Sequence, residues 1–164
     1  MKIIHLIRHA KSSWDQPGLR DVSRPLKARG RRDCRLMAPA LVELGWHGQQ
    51  VYCSQATRAR QTIQGIHEAL PAGGFDWQVD DDLYTFSSAV LLRWLRGQDE
   101  AVNELTLVGH NPAFTDLIDQ LADTLFHHLP TCAYVRLDAR VARWEELHSS
   151  CAELRHFLKP KMLK

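Results

Sequence analysis

The chain alternates short, wholly apolar runs with longer stretches in which apolar positions recur every three or four residues. The first pattern predicts buried strands and the second amphipathic helices. Residues 2–8, rich in isoleucine, open the series as a strand. Residues 15–25 are polar, contain Pro17, Gly18 and Pro25, and read as a loop. From Leu26 to Leu44 a helix is expected, with Cys34, Met37, Leu41 and Leu44 on one face. Pro39 should kink it, and Gly45 suits its C-terminal cap. A second short strand spans 50–53. A helix over 57–70 follows, with Ala59, Ile63, Ile66 and Leu70 on one side, and Pro71-Ala72-Gly73-Gly74 ends it. Residues 76–80 suggest a further short strand, and Ser87 or Ser88 a cap for a helix running to Arg96.

The run 105–108 is again of the buried-strand type. Asn111 then suits an N-cap and Pro112 the first helical position, with Phe114, Leu117, Ile118 and Leu121 continuing on one face. Past Pro130, residues 132–138 and 142–148 look like the two strands of a hairpin at a sheet edge. Residues 151–158 fit either a final strand or a helical tail. Strand and helix in turn are the mark of an α/β protein.

Composition narrows the picture only a little. The chain has 164 residues, 45% of them apolar and 24% charged, which suits one globular domain over residues 1–164. The net charge of +2 exerts no general pull toward nucleic acid or membrane. No run approaches the roughly 18 apolar residues of a membrane span. The N-terminal run is too short for a signal-peptide core, so a cytoplasmic protein is expected. Cys34, Cys53, Cys132 and Cys151 are widely spaced and read as buried core residues, with neither a disulfide framework nor a zinc site. His127 and His128 are adjacent and read as surface or loop residues.

Three strand ends carry chemistry. The first strand ends in Arg8-His9, the second is followed by Ser54-Gln55-Ala56-Thr57-Arg58, and the 105–108 strand ends in Gly109-His110-Asn111. Ligands of open α/β sheets bind beyond the carboxyl ends of strands. Arg8 and Arg58 could grip a tetrahedral dianion with paired, charge-assisted hydrogen bonds. A neutral imidazole at His9 is a competent nucleophile toward phosphorus, and His110 would add a donor. Phosphoryl transfer asks mainly for in-line positioning and for cations around the equatorial oxygens, which these four groups supply without a metal or other cofactor.

Leu6-Ile7-Arg8-His9-Ala10-Lys11-Ser12 resembles the Arg-His-Gly signature of the histidine phosphatase superfamily, and its Ala-Lys variant resembles the small SixA-type branch, the phosphohistidine phosphatases. Ser23-Arg24-Pro25-Leu26 with Gly30, Ser54 through Arg58-Ala59-Arg60-Gln61-Thr62, and Val108-Gly109-His110-Asn111-Pro112 resemble further stretches of that branch, in order, over about residues 3–125. The resemblance implies a phosphoglycerate mutase-like, three-layer αβα fold whose mostly parallel sheet has an antiparallel edge. It also implies His9 as nucleophile, Arg8 and Arg58 as phosphate ligands, and His110 as a second histidine on the phosphoryl group. Asn111, Lys11 and Ser12 would line the rim as substrate-binding residues.

Two departures matter. Ala10 replaces the usual glycine, though alanine is small enough for backbone to approach a phosphate. Asn111 stands where some members place an acid, and no glutamate aligns as one. The acidic run Asp80-Asp81-Asp82 reads as a solvated strand-to-loop segment. An alkoxide leaving group needs a proton in the transition state, whereas a phosphorylated imidazole needs one less, because its ring nitrogen can already be protonated and it then leaves readily. A pocket without a strong acid therefore favours a phosphohistidine on a partner protein. A small phosphomonoester substrate, or phosphate binding without turnover, stands as the alternative. The Cys53–Arg58 spacing is one short of the cysteine-phosphatase loop, and no phosphate-binding Gly-Lys-Ser loop occurs. Arg29, Arg31, Arg32 and Arg35 read as a solvated helix face. Oligomeric state is open.

Overall fold

The run at residues 2–8 folds as β1 (Lys2–Arg8), an interior strand of a six-stranded sheet, in a computed structural model that describes residues 1–71 and 74–164. The other strands are β2 (Val51–Cys53), β3 (Trp77–Val79), β4 (Glu104–Gly109), β5 (Tyr134–Ala139) and β6 (Ala152–Leu158). They lie in the order β3-β2-β4-β1-β5-β6. The first four are parallel, and β5 runs antiparallel to both β1 and β6.

Side chains of a strand alternate between the two faces, and here both faces are buried. Ile4 and Leu6 of β1 join one core with α3 (Ser88–Arg96) and α4 (Ala113–Ala122). Ile7 joins the other, with α1 (Ala28–Glu43) and α2 (Thr57–Glu68). The result is a three-layer αβα sandwich with a mostly parallel sheet and an antiparallel edge, as expected. No described helix is long and apolar enough to cross a membrane. All four cysteines are buried free thiols.

The structure departs from the sequence reading in four places. Residues 142–148 are not a strand, and the partner of β5 is β6, the segment that had been open between strand and helix. Trp144 explains this. Its indole N–H donates to the Val102 carbonyl at 2.7 Å and its backbone N–H to the Glu100 carboxylate at 3.1 Å, so a 3₁₀ turn (Trp144–Glu146) docks on the α3–β4 connection. Second, α1 runs through Pro39 to Glu43. Pro39 is exposed, so water can serve the carbonyl it deprives of a donor. Third, α1 starts at Ala28 because Leu26 bridges to Ser12 instead. Fourth, α4 starts one residue late, at Ala113; Asn111 still acts as its cap, accepting from the Thr115 N–H at 3.1 Å. The expected helix end at 71–74 includes residues 72 and 73, which lie outside the described residues; α2 itself ends at Glu68.

Candidate active site

The carboxyl ends of β1, β4 and β2 are held in register by hydrogen bonds that continue past the strands. The His9 N–H donates to Gly109 O and the Ser54 N–H to Val108 O, each at 3.0 Å. From the other side the Cys132 N–H reaches the carbonyls of Arg8 and His9 at 3.1 and 3.0 Å. The turn after His9 is fixed from α2: the Ala10 N–H donates to Thr62 Oγ1 at 2.8 Å, and that hydroxyl donates to Arg58 O at 2.7 Å. Gly30 lets α1 close against the same turn, since a Cβ there would stand 2.4 Å from the Lys11 carbonyl oxygen.

His9, His110, Arg8 and Arg58 come together at this end. The rings of His9 and His110 are 5.3 Å apart. His9 Nδ1 lies 2.8 Å from the Ala10 carbonyl, which can only accept, so Nδ1 carries the proton and Nε2 keeps its lone pair. Burial depresses the His9 pKa most; the Ala10 carbonyl opposes this, but His110, Arg58 and Arg8 push it lower still, to about 3. Burial and then Arg58 bring His110 to about 3 as well. Both rings are therefore neutral at pH 7.

Ser54 pairs with His110: its hydroxyl oxygen accepts from the Ala56 N–H at 3.2 Å and lies 2.8 Å from His110 Nε2. In the tautomer in which that hydroxyl donates to Nε2, the other ring nitrogen, Nδ1, bears the hydrogen. Among the described residues three buried side-chain nitrogens have no partner: His110 Nδ1, Arg8 Nε and Arg58 Nε. A buried donor left unpaired costs about 1–3 kcal/mol. Three of them around one neutral imidazole form a ready cradle for an oxyanion.

The rest of each guanidinium is anchored. Arg8 donates to Leu129 O at 2.9 Å, with His128 Nε2 at 3.3 Å. Arg58 donates to the backbone oxygen of Asp21 at 2.7 Å and to its carboxylate at 3.0 Å. Asp21 also accepts from Tyr84 Oη at 2.6 Å and Arg24 Nε at 3.2 Å. Burial raises the Asp21 pKa, but the hydrogen bonds from Tyr84, Arg58 and Arg24 outweigh this and hold it at about 2. Three guanidinium groups against one carboxylate leave two positive charges, the complement of a phosphate monoester dianion.

The remaining expected residues lie outside this group. Both ends of the Asn111 amide are engaged, Nδ2 on Leu129 O at 2.9 Å and Oδ1 on Thr115. Lys11 is exposed, with no side-chain hydrogen bond among the described residues, and the backbone of Ser12 bridges to Leu26. Within the acidic run, Asp80 caps the turn at Asp81–Leu83 and accepts from the Trp94 indole at 2.9 Å, while Asp81 and Asp82 are exposed. Arg29, Arg31, Arg32 and Arg35 are exposed; Arg31 and Arg35 border a hollow of about 290 Å³ between α1 and α2, apart from the histidines. Asp21 and Tyr84 were not legible as site residues, and Ser54, though it heads the motif leading to Arg58, carried no expected role. Only Arg24, within the Arg-Pro-Leu segment, marked that loop, and no pattern marks Tyr84.

The model of the histidine phosphatase superfamily (branch 1) matches residues 4–87. An uncharacterized protein of Mycobacterium tuberculosis (strain H37Rv) is 30% identical over 166 residues, covering 94% of this chain and 100% of that one. A chloroplastic protein of Arabidopsis thaliana is 29% identical over 154 residues, 86% of this chain and 68% of that one. A structure from Agrobacterium tumefaciens, provisionally named phosphohistidine phosphatase SixA, superposes with a TM-score of 0.79 at 27% identity, covering 97% and 99% of the two chains. A tungstate complex of the protein histidine phosphatase SixA gives 0.79 at 22% identity over 99% of each chain. A phosphoserine phosphatase from Entamoeba histolytica shares the fold, at 0.67 and 15% identity over the whole of both chains. With the family model covering half its length, and a relative 30% identical over the whole of its own chain, this chain belongs to the histidine phosphatase superfamily and is a phosphatase.

Proposed function

We propose that the protein removes phosphoryl groups from phosphohistidine on a partner protein, with His9 as nucleophile. His9 Nε2 attacks phosphorus in line, the N–P bond of the substrate breaks, and a phosphoryl–His9 bond forms. The departing imidazole keeps the proton on its other ring nitrogen and takes up the electron pair of the broken bond. Water then attacks phospho-His9, releasing inorganic phosphate and a proton and restoring the neutral ring. Arg8, Arg58 and the His110 Nδ1–H bind the equatorial oxygens, whose charge is spread most widely in the transition state.

One observation carries the reading: three unpaired buried donors surround a neutral imidazole whose free nitrogen is the nucleophilic one. The choice of substrate rests on the lack of an acid. The carboxylate at the pocket, Asp21, is ionised down to about pH 2. Burial and the Asp21 carboxylate raise the pKa of the Tyr84 phenol, so it parts with its proton reluctantly. Neither suits an alkoxide leaving group. The likeness to SixA structures supports the same choice. The test is to compare purified protein on a phosphohistidine protein and on alkyl phosphomonoesters, with His9→Ala as control. Faster alkyl ester hydrolysis would overturn the substrate, and phosphate binding without turnover would overturn the enzyme.

A further inference from the structure

Thirteen Phe, Trp and Tyr side chains occur in the chain, and most are buried or half-buried. Among the described residues two aromatics are exposed, Trp14 at 73% and Phe86 at 48%. Both are tied to the Asp21 carboxylate that holds Arg58. Trp14 lies under the Arg24 guanidinium, 3.5 Å from its ring centroid, and Arg24 bonds Asp21 Oδ1. Phe86 packs at 5.7 Å on Tyr84, whose hydroxyl donates to Asp21 Oδ2. Tyr84 and Phe86 each stand 5.5 Å from the His110 ring, tilted at 69° and 58°. The exposed aromatic surface is therefore gathered at the mouth of the phosphoryl site.

We propose that Phe86, braced by Tyr84 against His110, is the seat for the group attached to phosphorus, and that this group is a flat ring, the imidazole of a phosphohistidine. This rests on the phosphoryl site as read above. Aromatic pairs prefer offset or edge-to-face contacts at 4.5–7 Å between centroids, the spacing already adopted inside the cluster. A ring carried by a phosphorus held beside His110 would meet the open side of Phe86. Tyr84 is held in place, because its hydroxyl donates to the Asp21 carboxylate, which Arg58 grips in turn. An aliphatic group there would cover Phe86 without the edge-to-face contact. The wall thus selects by shape in a pocket whose charged groups recognise only the phosphoryl end. Trp14, on the far side of Asp21, is placed to meet the residues flanking the phosphohistidine.

The experiment compares kcat/KM of wild type, Phe86→Ala and Phe86→Tyr on N-phosphoimidazole, phenyl phosphate and acetyl phosphate, with competitive inhibition by inorganic phosphate as the measure of the anion site. Phe86→Ala should lower the ratio of ring substrates to acetyl phosphate by about three- to tenfold, the size of one aromatic contact, and Phe86→Tyr should restore it. An unchanged ratio, or weaker phosphate inhibition in step with the loss, overturns the proposal. Wild-type preference for phenyl phosphate over N-phosphoimidazole, with the ratio still falling in Phe86→Ala, overturns the phosphohistidine reading and leaves the ring seat standing.

Discussion

Two buried histidines stand four residues apart, His5 within β1 and His9 just past its end, and their surroundings could hardly differ more. His5, 1% exposed, has both ring nitrogens paired, Nδ1 with Tyr134 Oη at 2.7 Å and Nε2 with Glu104 Oε1 at 2.8 Å. His9, at the strand's end, has one nitrogen paired and one free, among donors that are unpaired as well. Burial lowers the pKa of both. Burial and a shifted pKa therefore do not mark a site; incomplete satisfaction of buried polar groups does. The first network holds the sheet together, and the second keeps its hydrogen bonds for a ligand.

That contrast can be broken by substitution. His9→Ala should reduce kcat by on the order of 10⁴-fold or more, as removal of a nucleophile does, with little change in Tm at pH 7. Substantial turnover in that variant would remove His9 from the role. Arg58→Ala should lower kcat/KM by about 10²–10³-fold, the scale of losing a preorganised charged donor. A near-normal value would take Arg58 out of the site. His5→Ala should show the reverse profile. It orphans the buried Tyr134 hydroxyl and opens a cavity, at a cost of about 2–4 kcal/mol in urea unfolding, while kcat well below Tm stays within about twofold. A variant that loses activity and keeps its stability would erase the distinction.

Asp21→Asn sharpens the comparison further. The carboxylate competes with a bound anion for Arg58, so its removal should tighten inhibition by inorganic phosphate by about threefold, a modest effect because Asp21 is largely solvated. Weaker inhibition would mean that Asp21 chiefly positions Arg58. The smallest effect is on pH. His5, His9 and His110 all take protons less readily folded than unfolded. The unfolded chain then binds more protons, and stability falls as pH drops from about 6.5 toward 3. Urea midpoints between pH 7.5 and 4.5 should show this decline, and His9→Ala should flatten it.

How far the site could be read from the sequence varies by residue. His9, His110, Arg8 and Arg58 follow strand ends, and a parallel sheet brings such ends together whatever the loops do. Asn111 lay in the same motif, yet its amide is spent on Leu129 and on α4. Asp21 and Tyr84 sit in irregular segments with no periodicity to place them, and only the Arg58 anchor reveals them. The expected 142–148 strand failed for a similar reason. Its alternation matched a strand, but Trp144 found a buried acceptor in Val102, a long-range contact no local pattern contains.

The periodicities by themselves determined the order of strands and helices from β1 through α4, their apolar faces and the three strand ends that lead into His9, Arg58 and His110, because strand and helix burial repeats at short, fixed intervals. Tertiary structure alone decided that β6 rather than residues 142–148 closes the sheet, that Asp21 holds Arg58, and that Tyr84 and Phe86 gather around His110. Each depends on partners tens of residues away, whose meeting is set by packing and hydrogen-bond satisfaction across the whole fold.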